Sequence, residues 1–286
     1  MRNEFQWKIP GKWILLGEHS VVRGGPALAF PLPSKQISVH ARVENTAGNF
    51  SITASEEKSL ALVNAFQRAI ESHPLFAKLP HVRLLLRLES SIPTSSGQGS
   101  SAAICTAAAF LMKEMGVLQE TEIFSAAHFM ENYFHGSSSG LDIAAVQSKA
   151  GIFFQKNQAV QDLHIGVMPK FYLFDTGTRS STKDSVKKVQ ALARPDLDDL
   201  MTRAVLIARK SLEETRSLPE LVEALRMGRA CFQEWGLISP ALLEAEEKLL
   251  GAGALAVKPT GSGGGGFLLS LWNKTPPAAL NLIPCL

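Results

Sequence analysis

Two acidic residues near the middle of the chain, Glu131 and Asp142, are separated by a polar bend over residues 135–140. That bend could bring both carboxylates to one site. Phosphoryl transfer uses such a pair, because Mg²⁺ needs hard oxygen ligands and the acceptor hydroxyl needs a group that orients it or takes its proton. Two other interpretations stay open. Asp142 could cap a helix predicted over 143–148, and Glu131 could be a solvent-exposed helix residue.

A second group of residues forms a serine- and glycine-rich loop before an alanine-rich run. The loop consists of Ser95, Ser96, Gly97, Gln98, Gly99, Ser100 and Ser101. Its glycines can turn successive N–H groups toward one point beside the positive end of the following helix, which predicts a phosphate cradle. No Lys-Ser/Thr pair follows, and the spacing differs from the dinucleotide-binding G-x-G-x-x-G. An ordinary N-cap turn is the alternative.

Charged and polar residues also flank the first predicted strand. Lys12 precedes the apolar residues 13–16 and could point inward to hold a carboxylate or phosphate oxygen, although most such lysines are surface residues. Glu18 and His19 follow the strand and offer an acceptor and a donor suited to a polyhydroxy acid or alcohol. An exposed polar turn is the alternative for this pair.

Two segments of the C-terminal half complete the candidate residues. The glycine-rich segment 261–266 is followed at once by an apolar strand, which favours a loop that approaches a ligand over a flexible linker. Arg179 and the hydroxyl residues up to Thr182 could contact an anionic substrate. A helix N-cap at Ser181 or Thr182 is the alternative.

Strands and helices are both needed to position these residues. Strands are predicted over 13–16, 37–43, 82–88, 151–155, 170–175 and 267–272, and helices over 59–70, 102–115, 121–134, 200–216 and 218–236. This mixture predicts an α+β chain. A polar turn over 155–158 marks a loose domain boundary, which divides the chain into domains 1–155 and 156–286.

Composition excludes several classes of protein. The 286 residues are 45% hydrophobic and 19% charged, which argues for a globular chain with one large or two modest cores. The 29 basic and 26 acidic residues are scattered, so neither a nucleic-acid stripe nor a membrane patch is expected. The three cysteines form no C-x-x-C pair and fit a reducing compartment. No signal core or membrane span is visible, and we expect a cytoplasmic location.

These motifs resemble those of the GHMP kinase superfamily, and within it the mevalonate kinase family most closely. Residues 10–19 look like the first motif of the superfamily in its mevalonate kinase form, which carries Glu-His. Residues 95–103 are similar to the second motif, and 258–266 match the third. The segment 135–142 looks like the part of mevalonate kinases that bears the catalytic Asp. The resemblance spans nearly the whole chain.

The resemblance implies a fold of two α+β lobes. The N-terminal lobe would be similar to ribosomal protein S5 domain 2 and bind ATP, and the C-terminal lobe would be ferredoxin-like. Two departures from the family pattern are visible. Residues 95–99 read Ser-Ser-Gly-Gln-Gly where the second motif usually reads Gly-Ala-Gly-Leu-Gly, and residues 135–139 lack the usual Pro.

The resemblance also implies a reaction, ATP-dependent phosphorylation of the 5-hydroxyl of mevalonate, with ATP and Mg²⁺ as cofactors and a homodimer as one candidate assembly. Another GHMP kinase, acting on a sugar or on phosphomevalonate, and a non-catalytic binding protein of this fold are the alternatives. The implied roles are Asp142 as catalytic base or orienter with Lys12 paired to it, Glu131 and Ser101 on Mg²⁺, Ser95–Ser101 on ATP, and Glu18, His19 and Thr182 near mevalonate.

Overall fold

A computed structural model describes residues 3–45, 48–93 and 97–285. Within them the chain forms ten strands and eight α-helices. The mixture confirms the predicted α+β class. The elements are β1 (Glu4–Leu16), β2 (Pro26–Asn45), β3 (Ser51–Ala54), α1 (Leu60–Ser72), β4 (Val82–Ser90), α2 (Ser100–Glu114), α3 (Ile123–His135), α4 (Leu141–Gln147), β5 (Ile152–Gln155), β6 (Gln161–Asp162), β7 (Lys170–Asp175), α5 (Thr182–Leu192), α6 (Pro195–Lys210), α7 (Leu218–Glu234), α8 (Pro240–Gly251), β8 (Ala256–Thr260), β9 (Phe267–Trp272) and β10 (Ile283–Pro284).

The chain divides into two compact units that are discontinuous in sequence. The first unit contains the described residues of Met1–Gly11, Lys35–Pro93 and Gly99–Gln147, and the second those of Lys12–Ser34, Thr94–Gln98 and Ser148–Leu286. This division differs from domains 1–155 and 156–286. Strands β1 and β2 each have one part in either unit, and residues 12–34 belong to the same unit as residues 148–286. The lobe boundary at residue 155 stays a prediction.

In the first unit, helices cover a sheet that is built around β4. The C-terminal part of β2 pairs antiparallel with β4, and β3 pairs parallel with it. Helix α2 packs against α1, α3 and α4, and ten of its residues are buried. Four of these are alanines between 102 and 108, whose small side chains let neighbouring helices approach closely. The polar loop before α2 is therefore attached to a buried, rigid helix.

In the second unit, four strands form an antiparallel sheet in the order β10-β7-β9-β8. All six residues of β9 are buried, as expected for a central strand covered on both faces. Helix α7 packs against α6 and β8. The N-terminal part of β2 pairs antiparallel with β5. This unit holds the loop after β1 and the glycine-rich connection between β8 and β9.

The predicted elements agree with the structure where the apolar pattern is strong. Strands β7 and β9 have the predicted bounds, whereas the helix predicted over 200–216 begins earlier, at Pro195, and ends at Lys210. A π-helical turn, Ser211–Thr215, follows it. Among the described residues, none of the helices combines the length and the apolar character that crossing a bilayer requires.

Gly17 provides a test of the turn after β1. It has φ of +105°, and a Cβ on it would lie 2.4 Å from the Cα atom of Ala27. We expect Gly17→Ala to lower the free energy of unfolding by clearly more than the about 1–2 kcal/mol of left-handed strain alone, because the backbone must also move. Denaturant unfolding measures this difference.

Gly24→Ala is the matched control, since Gly24 has φ of +97° and open space around the added Cβ. That variant should lose only about 1–2 kcal/mol. Equal losses in the two variants would show that the contact between Gly17 and Ala27 does not constrain the turn.

Candidate active site

Glu18 forms a buried ion pair with Lys258 in the second unit. The Nζ atom of Lys258, on β8, lies 2.6 Å from Oε1 of Glu18, and the two side chains are 0% and 2% exposed. Lys258 Nζ also lies 5.3 Å from the centre of the Phe232 ring. The exposed-turn interpretation of Glu18 is therefore wrong. The ion pair joins the loop after β1 to the strand that precedes the glycine-rich connection.

Burial controls the electrostatics of this pair. Loss of solvent raises the pKa of Glu18, against the opposing effects of Lys258 and Lys12. Loss of solvent lowers the pKa of Lys258, against the opposing effect of Glu18. The second carboxylate oxygen of Glu18, Oε2, has no hydrogen-bond partner among the described residues. Glu18 thus keeps acceptor capacity that Lys258 does not use.

His19 follows Glu18 in a left-handed backbone conformation with φ of 61°. Its Nε2 lies 3.0 Å from the carbonyl oxygen of Ser262, which can only accept, so Nε2 carries the proton. The ring centre lies 5.2 Å from that of Trp235 and 5.9 Å from that of Phe232. Burial lowers the pKa of His19 to about 4. At neutral pH the imidazole is therefore uncharged, and Nδ1 is an acceptor.

Lys12 is buried as well, with 3% exposure, which removes the surface-lysine interpretation. It lies in β1, and its backbone N–H donates to the carbonyl oxygen of Gln98 at 2.9 Å. Both polar atoms of the buried Gln98 side chain lack a hydrogen-bond partner among the described residues. Lys12 and the glycine-rich loop at 97–98 are thus neighbours in the second unit.

The connection between β8 and β9 is an ordered hairpin loop and not a flexible linker. The two strands pair antiparallel up to Thr260 and Phe267. Within the loop, the Gly263 carbonyl oxygen accepts from Ser180 Oγ at 2.6 Å, and Gly264 N–H donates to Leu237 O at 2.7 Å. A Cβ placed on Gly261 would lie 3.7 Å from the Cα of Gly97, so the two glycine-rich loops approach each other.

The described part of the loop before α2 contains two glycines with a positive φ. Gly97 and Gly99 have φ of 73° and 79°. Gly99 occupies the N-cap position of α2, so the phosphate-cradle and the N-cap interpretations both stay open. The predicted residues Ser95 and Ser96 lie outside the described residues. Ser101 Oγ lies 2.9 Å from Nε2 of His135, in the first unit.

Glu131 is buried on α3, with 2% exposure, so it is not the solvated helix residue of the alternative interpretation. Its Oε2 accepts a hydrogen bond from Ser138 Oγ at 2.6 Å. Asp142 is half-buried in the first turn of α4, the helix predicted over 143–148. The Oγ of Ser139 accepts from the N–H of Leu141, the first residue of α4, at 3.2 Å. Asp142 is the second residue of α4, so it lies inside the helix and not at the N-cap position that the alternative interpretation gave it.

The donor chemistry of the first unit fits Mg²⁺. Glu131 and Ser101 supply hard oxygen atoms, and no group of three or more His, Cys, Asp or Glu residues that could hold a metal exists within 3–45, 48–93 and 97–285. Mg²⁺ is usually held by one or two carboxylates together with substrate phosphates, and not by a complete protein cage. Glu131 and Ser101 therefore carry donor atoms of the type that Mg²⁺ prefers.

Thr182 is the first residue of α5, and its Oγ1 lies 3.4 Å from the Oγ of Ser262, the residue that also binds His19. Ser181 is the N-cap and accepts from Asp184 N–H, so the capping alternative holds for Ser181 and not for Thr182. Arg179 donates to both carboxylate oxygens of Asp175, at 2.7 and 2.8 Å, and this hydrogen bonding raises its pKa. The structure pairs this cation with Asp175, and its contact with an anionic substrate stays a prediction.

Comparison with known proteins extends these observations. The family profile described as "GHMP kinases N terminal domain" matches residues 60–149. The mevalonate kinase of Pyrococcus horikoshii is 30% identical, over 92% of this chain and 87% of that protein. The mevalonate kinase of Aeropyrum pernix is 29% identical, over 96% and 90%. The crystal structure of L. major mevalonate kinase in complex with R-mevalonate has a TM-score of 0.80 at 21% identity, covering 96% of this chain and 90% of that one.

The fold and the motif residues define a small-molecule kinase with an oxygen-donor site and two glycine-rich loops. The chain belongs to the GHMP kinase family. Within that family, the two relatives named above are mevalonate kinases, and this chain matches each of them along almost its whole length.

The Glu18–Lys258 pair predicts a large effect of removing one partner. Lys258→Met should cost about 3–5 kcal/mol of unfolding free energy, because it leaves the Glu18 carboxylate buried without its counter-charge. Adding Glu18→Gln should recover part of this loss, since no charge then remains at the site. Lys210→Met, at an exposed lysine at the end of α6, is the control and should change stability by less than about 0.5 kcal/mol. A small effect of Lys258→Met would contradict the structural role of the pair.

The lowered pKa of His19 predicts a pH dependence of stability. Between pH 6.5 and about 4 the unfolded chain binds a proton that the folded chain does not, so the folded state loses up to about 3 kcal/mol as pH falls through this window. His19→Asn, which removes the titrating group, should lose less stability between pH 7 and pH 4.5 than the wild type. Denaturant unfolding at several pH values checks this, and parallel pH curves would contradict it.

Proposed function

We propose that this protein is a kinase that transfers the γ-phosphoryl group of ATP to the 5-hydroxyl of mevalonate, giving 5-phosphomevalonate. The observation that carries the proposal is the similarity to mevalonate kinases along 92% of the chain. The geometry supports it, because Glu18 and His19 are held in place by Lys258 and Ser262 at the glycine-rich connection.

Phosphoryl transfer requires a group that directs the acceptor hydroxyl and positive charge that stabilises the transferred group. We assign the first role to Asp142, whose position in the first turn of a helix gives it a fixed backbone. We assign the second role to Lys12, whose buried position leaves its charge poorly screened by solvent. The pairing of these two residues is part of the proposal.

ATP is proposed to bind along residues 95–101, with backbone N–H groups of the loop and the first turn of α2 directed at its phosphates. Glu131 and Ser101 would hold Mg²⁺, which neutralises phosphate charge when it is bound. The buried position of Glu131 and its hydrogen bond from Ser138 support an oriented carboxylate.

Mevalonate is proposed to contact Glu18, His19 and Thr182. The neutral His19 ring presents an acceptor, and Glu18 keeps one carboxylate oxygen that Lys258 does not use. The hydroxyl of Thr182 lies near Ser262, the partner of His19, so the three residues share one region of the second unit. A cytoplasmic location and a homodimer complete the proposal and rest on the sequence.

A substrate panel tests the proposed function. With Mg²⁺ and ATP, kcat/KM for mevalonate should exceed that for phosphomevalonate, galactose, homoserine and N-acetylhexosamines by at least about tenfold, which corresponds to about 1.4 kcal/mol of transition-state binding. A better rate with a sugar would overturn the acceptor and retain the kinase. Tight ATP binding without turnover of any compound would favour a binding protein.

Asp142→Asn tests the proposed base. It should lower kcat by about 10²-fold or more while ATP still binds, because a general base contributes an effect of about that size. Asp199→Asn, at an exposed residue of α6, is the matched control and should keep wild-type turnover. An unchanged kcat in Asp142→Asn would remove this residue from the mechanism.

A further inference from the structure

Ser138, in the segment between α3 and α4, binds one face of α3 through all of its polar groups. Its N–H donates to Asn132 Oδ1 at 2.7 Å, and its hydroxyl donates to Glu131 Oε2 at 2.6 Å. Its carbonyl oxygen accepts from His128 Nε2 at 3.1 Å. Glu131 and Asn132 lie three and four positions after His128, so each of them is next to His128 on the same side of the helix.

The same hydroxyl also acts on the chain that follows. Ser138 Oγ accepts from the N–H of Gly140 at 3.1 Å. One residue further on, α4 begins at Leu141, whose N–H donates a hydrogen bond to Ser139 Oγ. Asp142 is the next residue. The hydroxyl of Ser138 thus connects the buried carboxylate on α3 to the start of the helix that carries Asp142.

The hydrogen bond between Ser138 and Glu131 is strong enough to hold the carboxylate in one orientation. A hydroxyl that donates to a carboxylate makes a charge-assisted hydrogen bond, which is shorter and stronger than a neutral one. Glu131 is 2% exposed, so little solvent competes for its oxygen. Ser137, the residue before Ser138, has no comparable contact among the described residues. Its side chain is exposed, and its hydroxyl makes no hydrogen bond within the described part of the chain.

We propose that Ser138 is a positioning residue, which sets the direction of the Glu131 carboxylate and the start of α4 and thereby aligns Asp142. This role rests on the function proposed above. Ser138 acts through Glu131 and Gly140 and does not itself contact substrate. Its loss should therefore slow turnover of bound substrates and leave their binding nearly unchanged.

The experiment compares Ser138→Ala with Ser137→Ala in the full chain. Ser138→Ala should lower kcat by about 10–100-fold with KM values for ATP and mevalonate within about threefold of wild type, because a misplacement of about 1 Å can cost 10²-fold in rate. Ser137→Ala should match wild type. Ser138→Thr keeps both the N–H and the hydroxyl, and it should restore most of the rate.

Hydrogen exchange of the ligand-free protein gives a readout that does not depend on turnover. Amides in 136–141 should exchange at least about tenfold faster in Ser138→Ala than in wild type or Ser137→Ala, because the Gly140 N–H loses its acceptor and the segment is released from Glu131. Asn132→Leu removes the acceptor of the Ser138 N–H alone. Asn132→Leu should also speed the exchange of the amides in 136–141. If Ser138→Ala does not fold, amide exchange and kcat of Asn132→Leu test the positioning role in its place.

Unchanged exchange in Ser138→Ala, or faster exchange with wild-type kcat, would overturn the positioning role. A raised KM with unchanged kcat would also overturn it. If the wild-type protein uses another acceptor of the panel, the proposed substrate fails, but the ratio of rates between Ser138→Ala and Ser137→Ala can be measured with that acceptor. The two proposals therefore fail separately.

Discussion

The buried ion pair between Glu18 and Lys258 is the interaction on which the second unit depends. It joins residues that are 240 positions apart, and neither side chain has solvent to replace its partner. Such pairs are often no more stabilising than apolar residues of equal volume, because two charges must lose their hydration. The position of this ion pair between two functional segments explains its presence better than stability does. Glu18 is followed directly by His19, and Lys258 lies three positions before the first glycine of the connection, so one contact aligns both segments.

His19 shows how this alignment determines chemistry. An imidazole in water would be partly charged near neutral pH, but burial against Trp235 and Phe232 keeps this ring uncharged. The hydrogen bond to Ser262 then selects which nitrogen carries the proton. A left-handed backbone at a histidine costs free energy, and such strain persists only where surrounding contacts determine the conformation. The ion pair beside it and the Ser262 contact are those contacts.

The sequence predicted local features well and distant partners poorly. The apolar run of β9 and the alanines of α2 determine their own structure, and both were predicted. The length of β2 was not, because Pro31 and Pro33 interrupt its pattern and only pairing with β4 and β5 shows that the strand continues. Helix α8 was also absent from the prediction, although Ser239 before Pro240 is a recognisable helix start. Lys258 was recognised as part of a motif, but its partner could not be, since no spacing rule relates residues so far apart.

The discontinuous second unit has a consequence for how the protein is made. A ribosome releases residues 12–34 early, yet apart from the short stretch 94–98 the rest of their unit begins only after residue 147. The first unit can complete its described elements while the strands that must pair with the beginning of β2 are still being synthesised. During that interval the apolar residues of β1 and β2 within 12–34 lack the native neighbours that residues 148–285 supply, and such exposed strands favour association with other chains. Because contacts between distant parts of a chain form slowly, we expect the second unit to fold later than the first.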